Sequence, residues 1–181
     1  MELLIVLAVL LVAAIWLYNT LVRDRNQVRA AWSDIDVQLK RRHDLVPALV
    51  STVRAYSDYE KATMSAVTEL RTRSEAAARL ADKAAMEAQI EQGLHRLIAV
   101  AEAYPDLKAD QNFRQLQTQL SETEDHLQYA RRFYNGAVRI LNTRIQSFPY
   151  LLIAQPLGFR SAEFFQVDNE KERHSPKIEV N

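Results

Sequence analysis

The chain has no cysteine, only three glycines and five prolines in 181 residues, and no surplus charge, with 23 Lys and Arg against 23 Asp and Glu. The missing cysteine excludes a thiol nucleophile, a disulfide framework and any Cys-ligated metal, and says nothing about compartment. Balanced charge provides no overall field to draw in a polyanion, so no nucleic-acid partner is expected. So little Gly and Pro, beside abundant Ala, Leu, Gln, Arg and Glu, predicts a nearly all-helical chain with almost no support for strands.

Catalytic motifs are missing as well. The sequence has no GxGxxG, GxxxxGK[ST], GxSxG or HExxH, so neither a phosphate cradle, a nucleophile elbow nor a helical zinc site is supported. His43, His95, His126 and His174 are scattered without any i,i+4 His pair and read as surface or capping residues. Glu122, Glu124 and Asp125 can be set beside Asp36 or Glu60 as carboxylates of a bundle-core di-iron site. That site requires Glu-x-x-His on two helices. Glu91 and His95 are separated by three residues instead of two, and Glu122 and His126 share the i,i+4 spacing of an ordinary exposed helix pair. No catalytic residue, cofactor, metal ligand or small-molecule substrate is expected, and the reading is of a protein that is not an enzyme.

One long hydrophobic run is present. Residues 3–22, LLIVLAVLLVAAIWLYNTLV, carry no charge and end at Arg23-Asp24-Arg25. As a helix rising ~1.5 Å per residue they cover ~30 Å, the hydrocarbon thickness of a bilayer. Trp16 and Tyr18, near the end of the run, are residue types that settle at a membrane interface. A cleaved signal peptide needs a basic n-region, whereas this chain opens Met-Glu, so an uncleaved anchor is expected. A buried soluble helix is disfavoured because the run is apolar all the way round. Arg23, Arg25 and Arg29 on the C-terminal side predict a single-pass, N-out anchor with the rest of the chain cytoplasmic; an extracytoplasmic placement is the alternative.

Beyond the anchor about 160 residues remain, enough for one domain. Val28, Trp32, Ile35 and Leu39 step by 4, 3 and 4, which predicts a first helix running out of the membrane and ending near Lys40-Arg41-Arg42-His43. Asp44 is placed to cap a second helix with Pro47 in its first turn. Leu49, Val53, Tyr56, Met64 and Val67 mark the face of that helix, with a kink or restart at Ser57-Asp58. Residues 74–83 read as a bend into a third helix bearing Met86, Ile90, Leu94, Leu97 and Ala101, stopped at Tyr104-Pro105. The fourth helix has the clearest period: Phe113, Leu116, Leu120, Thr123, Leu127, Ala130, Tyr134, Ala137, Leu141 and Ile145. The expected fold is all-α, a single transmembrane helix (1–22) continuing into an antiparallel four-helix bundle (23–148) with coiled-coil-like packing. An apolar segment (149–167) then packs on bundle or membrane, and a polar tail (168–181) is expected to be disordered.

From residue 126 to 162 there is no Asp or Glu, yet Arg131, Arg132, Arg139, Arg144 and Arg160 alternate with Tyr129, Phe133, Tyr134, Phe148, Tyr150 and Phe159. Helix parity returns the fourth helix toward the bilayer, which sets Arg139, Arg144 and Arg160 beside Arg23, Arg25 and Arg29 as candidate lipid-facing cations. An ordinary solvated arginine face is the competing reading.

Residues 25–26, 31–42 (AAWSDIDVQLKRR from 30), 44–47, 104–109, 112–113, 130–135 (ARRFYN) and 148–149 run together much as in the LemA family of bacterial membrane proteins, and the chain resembles that family from about residue 15 to 165. The resemblance implies a short anchor and an antiparallel helical bundle in a bacterial inner membrane. It implies no catalytic residues. Relatives are associated with membrane metalloproteases of the heat-shock type or with magnetosome membrane shaping. The function expected is therefore a membrane-anchored scaffold or adaptor, with such a protease as candidate partner. The alternative is a protein that shapes membranes or binds anionic lipid by homo-oligomerisation.

Overall fold

The computed structural model describes residues 1–56 and 60–165, and these contain helices and no strand. In chain order the helices are α1 (Glu2–Tyr56), α2 (Lys61–Ala76), α3 (Leu80–Val100), α4 (Pro105–Ala109), α5 (Gln111–Gln146) and α6 (Leu151–Ala154). The polar tail and the expected kink at Ser57-Asp58 lie outside the described residues.

The expected break near Asp44 is absent, and α1 runs on for 55 residues with Pro47 inside it. The reason lies in the run Lys40-Arg41-Arg42-His43, which reads as the end of an apolar stripe. Arg42 and His43 are instead buried, and with Leu39, Val46, Leu49, Val50 and Val53 they carry the inward face straight through. Arg42 occupies a core position because an acidic partner neutralises it, as described below. Pro47 removes one i→i−4 hydrogen bond but lies on the exposed face. His43 is thus a core residue and not the surface or capping group expected, whereas His95 and His126 are exposed.

The chain divides into two compact units. The first comprises residues 1–48 and 114–164. Three side-chain links tie α1 to α5 in reversed order along the two helices: Asp24 to Arg144, Trp32 to Tyr134 and Arg42 to Glu124. The periodic face of α5 is inward as expected, with Leu120, Thr123, Leu127, Tyr134, Ala137, Leu141 and Ile145 buried. Each buried Leu or Ile contributes ~1.5–3 kcal/mol relative to exposure, so this stripe is what holds α5 in place.

The second unit comprises residues 49–113 and 165–181, described here through residue 165. Its centre is a helical hairpin. The bend expected over residues 74–83 is confined to residues 77–79, after which α2 and α3 pack together. Gly93 in α3 lies so close to Val67 in α2 that a Cβ at position 93 would overlap Val67 Cγ2. Nearer the bend, the buried Ser74 hydroxyl donates a hydrogen bond to the buried Glu87 carboxylate. Pro105 opens α4 at its first position, where no intrahelical N–H is needed. Asp110 accepts the Phe113 N–H at 2.9 Å, a side-chain cap for the start of α5's first turn.

Candidate membrane-proximal site

The uncharged start of α1 is the one helix among the described residues long and apolar enough to cross a membrane. Every residue from 1 to 16 is exposed, including Leu3, Leu4, Ile5, Leu7, Leu10, Leu11, Ile15 and Trp16. Cover begins at the next turn, where Leu17 is half-buried and Thr20 and Leu21 are buried. An exposed apolar sleeve of this length marks a surface that a membrane or a partner covers. Thr20 avoids an unpaired hydroxyl by donating to the Trp16 carbonyl at 2.9 Å.

At the far end of that sleeve the first unit assembles its basic and aromatic residues. Asp24, 9% exposed at its side chain, accepts from Arg144 Nη1 at 3.3 Å, and Arg144 Nε lies 3.1 Å from its other oxygen. Removal from water pushes the Asp24 carboxyl above its ordinary range, and the nearby Arg144 and Arg23 guanidinium groups pull it back only in part. The Arg144 guanidinium also lies 5.4 Å from the centre of the Tyr150 ring, and Tyr150 meets Trp16 at 6.3 Å. Phe159 is held against α1 on both sides of the charge step, edge-on to Tyr18 at 5.9 Å and under Arg25 at 4.9 Å.

Local backbone chemistry explains how Phe159 gets there. α6 and the turn after it close with the Phe159 N–H donating to the Ala154 carbonyl and the Gly158 N–H to Gln155, with Gly158 at φ +75°. This is a paired-bond helix terminator that requires a left-handed residue, hence glycine. The strand-like stretch that follows is strapped to α5. Asn142 donates to the Ala162 carbonyl at 2.9 Å and accepts the Ala162 N–H at 2.8 Å, while the Tyr134 hydroxyl donates to the Glu163 carbonyl at 2.9 Å. Burial, and then the Glu163 charge, raise the Tyr134 hydroxyl above its usual pKa.

Of the six arginines singled out in the sequence, Arg23, Arg29, Arg139 and Arg160 are exposed. Arg144 and Arg25 are partly buried and engaged, by Asp24 and Phe159 respectively. Trp16 and Tyr18 stand at this same end, in contact with Tyr150 and Phe159.

Sequence reasoning missed a second ionic cluster. Arg42, 1% exposed, donates from Nη1 to Glu124 at 2.9 Å, and Arg131 Nη1 lies 3.8 Å from the other Glu124 oxygen. The signal was available: Arg42 falls three residues after Leu39 on the apolar stripe, a spacing at which a cation demands a partner. Among the described residues no three His, Asp or Glu side chains are grouped to hold a metal ion.

A model of the LemA family matches residues 31–180. The chain is 30% identical over 149 aligned residues to Protein LemA of Metamycoplasma hominis, covering 82% of this chain and 68% of that protein. It is 28% identical over 175 aligned residues to Magnetosome protein MamQ 2 of Paramagnetospirillum magneticum, and 24% identical over 174 to Magnetosome protein MamQ of Magnetospirillum gryphiswaldense. Each of these two alignments covers 82% of this chain and 64% of the relative, so the chain spans just under two thirds of the MamQ proteins' length. This chain belongs to the LemA family, which is not a known enzyme family.

Proposed function

We propose that the protein is a non-enzymatic, membrane-anchored adaptor that holds a helical interaction surface at a bacterial inner membrane, with an integral-membrane metalloprotease of the heat-shock type as its client. The observation that carries the reading is the exposed apolar sleeve of residues 1–16 passing without a break into the buried face of α1. A rigid helical continuation transmits position from membrane to domain, which a flexible linker does not. An antiparallel four-helix bundle is part of the same proposal. It is supported by the reversed order of the α1 and α5 links in the first unit and by the hairpin of α2 and α3 in the second. Arg23, Arg25 and Arg29 after the apolar run support the N-out, cytoplasmic orientation.

A second reading, an anionic-lipid-binding protein that self-assembles and shapes membranes, is favoured by the exposure of Arg23, Arg29, Arg139 and Arg160. Affinity isolation of the full-length protein from membranes in mild detergent separates the two. A membrane protease recovered in constant ratio supports the adaptor, and homo-oligomers alone would refute it in favour of lipid-driven assembly.

A further inference from the structure

The length of the exposed sleeve does not match a bilayer. Residues 1–16 extend about 24 Å, short of the roughly 30 Å of a hydrocarbon core. The remaining depth falls on residues 17–22, where Thr20 and Leu21 are already covered by protein. Whatever flanks the helix there shares the depth of the hydrocarbon boundary. The flanking element is the turn after α5. Tyr150 contacts Trp16, and Trp16 lies seven residues before Arg23, a rise of about 10 Å toward the bilayer interior. Phe159 contacts Tyr18 and Arg25, which places it across the charge step itself. From residue 148 to 157 the segment turns four large apolar side chains outward: Phe148 at 76% exposure, Leu151 at 42%, Leu152 at 61% and Leu157 at 52%.

We propose that residues 148–157 form a second membrane contact, an apolar foot that enters one leaflet beside the anchor and completes its hydrophobic length. The proposal rests on the anchoring reading above. Continuity with the sleeve identifies lipid as the occupant, because the same bilayer that covers Trp16 must reach Tyr150. The segment is too short and too interrupted, by Pro156 and Gly158, to span, and fits an element lying about 5–10 Å into the headgroup and acyl boundary. Arg160, exposed immediately after it, is positioned to meet headgroups as the chain leaves. The foot meets the anchor through Tyr150 against Trp16, and the chain on either side of it is fixed by Arg144, paired with Asp24, and by Ala162, bonded to Asn142, so the first unit's rotation about the anchor axis is restricted.

The absence of native cysteine allows a direct test with single spin labels on the full chain in nanodiscs of phosphatidylcholine doped with phosphatidylglycerol. Phe148→Cys and Leu152→Cys are the probes, Leu10→Cys reports the anchor, and Val37→Cys, exposed farther along α1, reports water. Labels at 148 and 152 are expected to collide several-fold less with a water-soluble nickel chelate than the label at 37, and more with oxygen. Water-like accessibility at both positions, with Leu10→Cys still reading as lipid, overturns the foot and leaves the anchor intact. Dipolar broadening at 148 and 152 with both reagents excluded overturns it in favour of a second copy of the chain. A water-like label at position 10 overturns the anchoring reading and the foot with it.

Discussion

Asp24 and Arg144, 120 residues apart, join the charged turn of α1 that follows its apolar run to the last turn of α5 through two contacts of 3.1 and 3.3 Å. The pair is only partly screened, with the carboxylate 9% and the guanidinium 29% exposed, so breaking it strands a charge with little water to receive it. The contacts of Tyr150 with Trp16 and of Phe159 with Tyr18 and Arg25 lie within two and a half turns of it along α1.

A pH dependence follows from the raised Asp24 pKa. Because its folded value lies above the ordinary 3.8, the folded state holds the proton more tightly than the unfolded state. The stability this group contributes is fully present below pH 3.8 and is lost as pH rises through the folded value. In thermal melts of the full-length protein in detergent, the stability of wild type relative to Asp24→Asn is expected to decline as pH rises from below 3.8 and to level off toward neutrality. A difference that grows over the same range contradicts this assignment.

Glu124 serves two cations, Arg42 and Arg131, so the two ends of the buried pair are not equivalent. Glu124→Leu removes an acidic partner of the buried Arg42 and is expected to cost about 3–5 kcal/mol. Arg42→Met keeps Arg131 as partner for the carboxylate and is expected to cost less. Combining the two restores part of what Glu124→Leu loses. Equal melting of the two single variants would show that the cluster does not act as described.

Gly93 is buried in mid-helix, where alanine ordinarily gains about 1 kcal/mol. Val67 Cγ2 occupies the space of its Cβ, and overpacking of this kind typically costs about 1–3 kcal/mol. Gly93→Ala is therefore expected to lower stability by about 1 kcal/mol, with Val67→Ala added to it compensating in part. A stabilised Gly93→Ala would mean that α2 and α3 can separate there at no cost.

Much of this architecture was legible in the residues. The α5 face follows the 3-and-4 spacing from Phe113 to Ile145 because its inward positions are almost all apolar, and apolar periodicity is what a sequence displays most directly. The continuity of α1 was not legible, because Arg42 and His43 look like a solvated end and the carboxylate that pairs with Arg42 in the core lies 82 residues away. The engagement of Arg144 was not legible for the same reason. Its spacing placed it among exposed cations, whereas Asp24, hidden in an Arg-Asp-Arg triplet, holds it inward. Pairing between distant charges leaves no periodic trace.

The exposed arginines should separate from the engaged one in a lipid assay. Replacing Arg23, Arg29, Arg139 and Arg160 with Gln is expected to weaken co-sedimentation of the domain lacking residues 1–22 with anionic liposomes, at roughly 1 kcal/mol per well-placed charge, without lowering its melting temperature. The attraction fades with salt as the Debye length falls to about 8 Å at physiological ionic strength. Arg144→Gln is expected to do the reverse, lowering stability while changing lipid binding little. Undiminished binding by the fourfold variant at low salt would leave those arginines as a solvated face.

Anchoring is the claim on which the adaptor, the lipid-facing arginines and the apolar foot all depend, and alkaline carbonate extraction of membranes carrying the full-length protein tests it most directly. The protein is expected to remain in the membrane pellet, while deletion of residues 1–22 moves it to the soluble fraction with helical circular dichroism retained. Release of the full-length protein by carbonate would contradict an anchor formed by residues 3–22.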